Sequence, residues 1–286
     1  MRSTFAYRSL VAALVMLTAP CAGARDGVIE INQVRALAGG VTPGDTAGFP
    51  VTLTRPGSYV LTGNLDLRAL AGAQNIGAIE VEASGVSIDL GGFALLNANR
   101  CTGDPPTTPV SCTGGGSVGR GVGATGSDAN GQPISGTHIR NGRIEGFGGA
   151  GVRCFLACTA DNVESRHNAE EGFRVGEGSI VRNSVAELNF FSGVRGSRVH
   201  LLSSTVVRNG GPGANIASGS LVSQSVVARN AGLGLFVFVN VVDPSSPVGF
   251  QGSSFTQNNG GNANDQVSVS ALPLGDNICG TDTSCP

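Results

Sequence analysis

Lysine is missing from all 286 residues, and so is tryptophan. Every fixed cation is therefore an arginine, a planar fork of donors matched to carboxylates. Aromatic residues make up only 5% of the chain, so flat platforms for neutral sugars are scarce. A basic excess, which a nucleic-acid binder normally carries, is also absent. Beyond the N-terminus no apolar run is long enough to span a membrane. No C-x2-C pair occurs and the three His are scattered, which argues against a zinc site.

The N-terminus reads as a secretory leader over residues 1–24. Arg2 and Arg8 supply a basic start, residues 10–17 are apolar, and Ala22, Gly23 and Ala24 make a small-residue cleavage site. Cys21 raises lipid attachment, but Pro20 before it and Thr18 three back fit that reading badly. The expectation is a protein secreted or exported to the periplasm after cleavage near Ala24. Without the two leader arginines, 16 Arg face 20 acids, a formal charge of −4. Six cysteines remain, an even number that implies disulfides in an oxidising compartment. The close pairs are Cys101 with Cys112, Cys154 with Cys158, and Cys279 with Cys285. Cys154 falls at an inward position, so a buried free thiol is its alternative state.

Abundant glycine and low charge could signal disorder, but the apolar residues recur too regularly. Asn168, Asn189, Asn209 and Asn230 each stand four residues before a Gly. Successive glycines at 151, 172, 193, 213 and 234 are 21, 21, 20 and 21 residues apart. A fixed period of this length means stacked units, each unable to bury its apolar face alone. Leucine-rich repeats share the period but would need an L-x-x-L-x-L frame. These coils instead offer Val, Ile, Phe and Thr at period two between Gly, Asn and Ser, which read as strands. One coil runs a strand over 180–185, turns near Asn189 and runs a second strand from Gly193. Strands this short must pair with the coils above and below, ~4.8 Å away. The glycine serves a positive φ or a tight turn free of a Cβ clash. The asparagines can bond to one another along the axis as an amide ladder.

These repeats, with the opening "RPGSYVLTGNLDL" and "GAIEVEASGVSIDLGGFAL", resemble the right-handed parallel β-helix repeat proteins of the pectate-lyase-like class. The resemblance covers about residues 50–270. It implies an all-β, single-stranded, right-handed parallel β-helix of about 21 residues per coil. The class includes polysaccharide lyases, hydrolases and epimerases, and also adhesins and passenger domains. The expected organisation is a capping segment over 25–76 with a helical turn within 28–37. The β-helix follows over 77–270, with a disulfide-bearing loop insertion at 99–136 and a second at 243–249. A tail over 271–286 pins the last coil.

A known period lets outward columns be read vertically. Two residues after successive glycines stand Arg153, Arg174 and Arg195, then Asn215 and Phe236. Three like charges at strand spacing call for an anion. Glu170, Glu171 and Glu177 are the local candidates; an acidic polysaccharide gripped by arginine forks is the external one. Two other columns alternate in sign, Glu145 with Arg166 and Glu187, and Arg140 with Asp161 and Arg182. They read as structural pairs. Catalytic signals are sparse. Glu145 and Glu187 have Arg166 between them, so they do not form an acid/base couple. His167, beside Arg166 and Glu164, is a candidate base or ligand group, whereas His138 and His200 have no evident partner. Asp265 in "TQNNGGNANDQ" offers a calcium ligand or simply a turn. No motif fixes a cofactor, a metal or the oligomeric state. Three functions compete: binding or processing an acidic polysaccharide, a non-catalytic surface or matrix scaffold, and an oligomerisation module suggested by Phe236 and Phe238.

Overall fold

In a computed structural model, residues 27–114, 118–238, 246–281 and 285 are described. The leader expected over 1–24 lies outside them, as do residues 239–245. A seventeen-stranded and an eight-stranded sheet contain all but two of the described strands, and their pairings are parallel. The exception is an antiparallel hairpin, Cys101–Asp104 with Thr108–Cys112. The chain is a parallel β-helix.

A coil holds three strands. Phe173–Glu177 is followed by Ile180–Arg182 and Val185–Glu187, and then the next coil begins with Val194–Ser197. Each strand pairs one coil up: Phe173 with Val194, Ile180 with His200, Val185 with Thr205. The strand expected over 180–185 is therefore two strands. Asn183 breaks it with φ 51°, a left-handed conformation that turns the chain sharply.

The same device makes all three corners. Asn162, Asn183, Ser203 and Gln224 hold the first corner of successive coils, and His167, Leu188, Arg208 and Arg229 the second, all with positive φ. Ala157, Gly178, Arg198 and Gly219 hold the third. At the first two corners the next residue turns inward and is polar, except Val163 after Asn162. At the second corner it is the asparagine of the repeat. Asn168 Nδ2 donates to Asn189 Oδ1 at 2.9 Å, and Asn189 to Asn209, Asn209 to Asn230 and Asn230 to Asn258 at 2.9 Å each. Gln266 ends the column, accepting from Asn258 at 3.2 Å. At the first corner Ser184, Ser204 and Ser225 do similar work, each hydroxyl oxygen accepting the backbone N–H one coil below at 3.1 to 3.2 Å. These bonds satisfy backbone donors that the bends remove from the strand ladder.

The repeat glycines have negative φ, so left-handed freedom is not their purpose. They are there for room. A Cβ on Gly172 would lie 2.8 Å from Asn189 Nδ2, and one on Gly193 or Gly213 would meet Asn209 or Asn230 at the same distance. The asparagine of each coil sits over the glycine of the coil below, which is why the two recur together.

Inside, each position stacks on its like. Ala160, Val181, Leu201, Val222 and Phe250 form one fully buried column. Spacing is equally strict. The first residue of the second strand and the first inward residue of the next coil are 14 apart at 159 and 173, 180 and 194, 200 and 214, and 221 and 235. The 20-residue interval therefore arises at the third corner, where one residue is missing.

Stacking reaches beyond 77–270. Val28–Ile31 pairs with Gly57–Leu61 within the expected cap, next to the helix Gln33–Ala38. Ala271–Pro273 and Ile278–Cys279 continue the long sheet within the tail. Nor is 99–136 all loop, because Val122–Ala124 is a rung of the eight-stranded sheet. Disulfides join Cys101 to Cys112, Cys154 to Cys158 and Cys279 to Cys285, so Cys154 is not a free thiol. The hairpin lies as a strap along the second corner. His167 Nδ1 is 2.9 Å from the Cys101 carbonyl oxygen, and Arg229 Nη2 is 2.6 Å from Asp104 near the hairpin tip.

Candidate functional site

The eight-stranded sheet carries one outward column from end to end: Thr52, Glu80, Gly123, Arg153, Arg174, Arg195, Asn215 and Phe236. Alternation along each strand sets it outward, since Val152, Phe173 and Val194 face the core. Arg153, Arg174 and Arg195 are direct register partners on adjacent strands.

One carboxylate answers two of these charges. Glu171 is only 1% exposed, with Oε1 3.3 Å from Arg195 Nη1 and Oε2 3.9 Å from Arg174 Nη1. Local neutralisation is thus built into the wall, although the sequence placed Glu171 among surface acids. Glu177 pairs with Arg198 instead. Arg153 forms no ion pair among the described residues, with Glu170 and Glu171 acting on it from farther off. Its Nε is buried without an acceptor, and its guanidinium rests 5.9 Å from the Phe155 ring centre. Burial, then Arg174 and Arg120, lowers its pKa from the usual arginine value. Below it, Gly123 leaves a gap that the Glu80 carboxylate fills, because a Cβ there would fall 2.2 Å from Glu80 Oε2. Burial raises the pKa of that carboxyl, against the opposing pull of Arg120.

Two hollows flank the row. One of about 200 Å³ lies among Glu171, Arg174, Phe191, Arg195, Pro212 and Asn215. The other, of about 130 Å³, lies among Phe155, Arg174, Arg195 and Phe238. Arg195 sits 5.8 Å from the Phe238 ring centre. The phenylalanines that looked like an oligomer signal thus edge the arginine row.

The remaining candidates lie apart from this row. His167 is half-buried under the hairpin, where burial lowers its pKa against the opposing contact with the Cys101 carbonyl. The mixed-charge columns are paired on the long sheet: Asp161 with Arg182 at 2.8 Å, and Glu145 with Arg166 at 3.2 Å. Glu145 also gathers Arg100 and Arg143 at 3.3 and 3.2 Å, a convergence the period did not reveal. Around Asp265 the side-chain amides bond the loop's own backbone: Asn259 to the Asp265 carbonyl and Asn264 to the Asn259 carbonyl. Among the described residues no three His, Cys, Asp or Glu side chains gather as metal ligands. A larger hollow of about 510 Å³ lies over the first corner beside Asn141, Asn162, Asn183, Arg143 and Glu164. The column of left-handed asparagines was its only sequence signal.

No protein-family model matches the chain, and no curated protein matches it in sequence. Among solved structures, the A-module of the Azotobacter vinelandii mannuronan C-5 epimerase AlgE4 is similar at TM-score 0.40 and 12% identity, over 78% of this chain and 86% of that one. The periplasmic alginate epimerase AlgG is similar at TM-score 0.43 and 12% identity, over 81% of this chain and 61% of that one. Likeness at this level carries neither residue roles nor substrate across.

Proposed function

We propose that this chain is an exported β-helix protein that binds an acidic polysaccharide along the outward face of the eight-stranded sheet. Arg153, Arg174 and Arg195 are its anchors. The observation that supports this is the in-register row of three guanidinium groups, of which one buried carboxylate bridges only two. Like charges on neighbouring strands oppose stacking, and an external carboxylate polymer relieves that cost. Three disulfides fit an oxidising compartment.

The test compares two arginines by titrating an acidic oligosaccharide at low and high salt. Arg174→Ala should weaken binding several-fold, and salt should weaken it further because the groups are partly exposed. Arg182→Ala should leave it unchanged, since Arg182 belongs to the ladder with Asp161. Equal effects at both positions, or no binding at low salt, would sink the proposal. A second reading, a non-catalytic scaffold, draws on the paired ladders of the long sheet and predicts that negative outcome.

A further inference from the structure

The hollow beside Arg174 and Arg195 holds more than cations. Glu171 and Asn215 line it together with Glu170, and the buried Glu171 Oε2 and Asn215 Oδ1, which would be reached only as the arginines move, accept no hydrogen bond. A buried acceptor left open is costly, and a ligand that donates to it recovers that cost. The same hollow has an apolar side made by Phe191 and Pro212. Resting on the acidic-polysaccharide reading, we propose that this hollow is a subsite for one hydroxylated uronate residue and discriminates against polyanions that lack hydroxyls.

The selectivity comes from Glu171. An incoming carboxylate must draw Arg174 and Arg195 away from the carboxylate they already share. Moving these partly exposed side chains outward uncovers Glu171 and leaves two anions facing one another. A bare polyanion offers no relief. A sugar carboxylate comes with ring hydroxyls, and a hydroxyl can donate to Glu171 Oε2 while another donates to Asn215 Oδ1. The ring's C–H face then lies against Phe191. Two cations, two open acceptors and one apolar wall are complementary to a ring bearing a carboxylate, hydroxyls and an apolar face. They are not complementary to a charge alone. The hollow of about 200 Å³ is of single-ring size, so discrimination acts residue by residue along the glycan.

The experiment measures, at low salt, the affinity of the disulfide-bonded protein for a short oligogalacturonate and for polyacrylate of equal carboxylate number. The uronate should bind about tenfold tighter or more. Asn215→Ala should weaken the uronate about tenfold and leave polyacrylate unchanged. Glu171→Gln removes the competing charge, so polyacrylate should gain affinity and the ratio should fall toward one. Circular dichroism and thermal melting establish that each variant is folded, and the wild-type ratio stands even if Glu171→Gln is not. Equal binding of the two polymers by the wild type overturns the subsite and leaves the arginine row intact as a general anion site. Binding of neither overturns both.

Discussion

At the scale of single residues, the coil is governed by a steric pairing. Gly172 is empty on the side where Asn189 lies, so the two form one unit across two coils. Gly172→Ala should cost about 1–3 kcal/mol by overpacking. Asn189→Ala should cost a similar amount by leaving buried amides open. The two changes should add less than fully, because losing the amide removes one of the two close contacts of the added methyl, the other being the Gly193 carbonyl oxygen at 2.8 Å. A double-mutant cycle by urea unfolding measures this, and strictly additive costs would refute the pairing. His167 supplies a pH signature. Its folded pKa is depressed by burial, so the unfolded chain binds the proton more readily. Its contribution to stability is complete above the ordinary histidine pKa of ~6.5 and is lost as pH falls toward the lower folded value. Unfolding midpoints of the wild type should therefore drop more steeply from pH 7 to 5 than those of His167→Gln. The sequence displayed the Asn and Gly columns through their period. It did not show why glycine was needed, since conformational freedom and lack of space leave the same letter.

At the scale of elements, the Cys101–Asp104 and Thr108–Cys112 hairpin joins coils distant in sequence. Arg229 and Asp104 are 125 residues apart. Their side chains are 42% and 45% exposed, so the pair adds little to global stability. Arg229→Ala should leave the melting temperature nearly unchanged while hydrogen exchange rises over 101–112. Unchanged exchange would show that the pair does not hold the strap. Contacts of this kind were illegible in the sequence. Periodicity reports what recurs, and a strap occurs once. The same limit explains Val122–Ala124, a rung hidden by the Gly- and Pro-rich text around it, and Glu145, whose Arg100 partner comes from beside the hairpin. The arginine row was legible as a column. The burial of Glu171 was not, because a corner residue has no strand alternation to tell inside from outside.

At the scale of the whole molecule, the stack is a sum of neighbour contacts around one continuous core. Its two-strand face is closed by charge ladders, and its one-strand face presents arginines, so the two sides of one solenoid are chemically unlike. The constant 14-residue stretch has a further consequence for inheritance and engineering. Over 159–235 that stretch contains the serine and asparagine corners, whereas its counterpart between Ser87 and Val122 holds the Cys101–Cys112 hairpin, so changes in length fall at corners and leave the paired strands intact. The third corner carries only a broken column, Ser179 and Ser220 accepting from the Cys158 and Val199 backbone N–H at 3.0 Å with Val199 between them, and it has absorbed a deletion near Gly196 and an insertion between Val237 and Val248. It is the natural seam for grafting foreign sequence. A short Gly-Ser peptide placed between Ser218 and Gly219 should leave melting within a few degrees of the parent. The same peptide between Ala186 and Glu187, inside a strand paired on both sides, should abolish cooperative melting. If the two grafts melt alike, the seam does not exist.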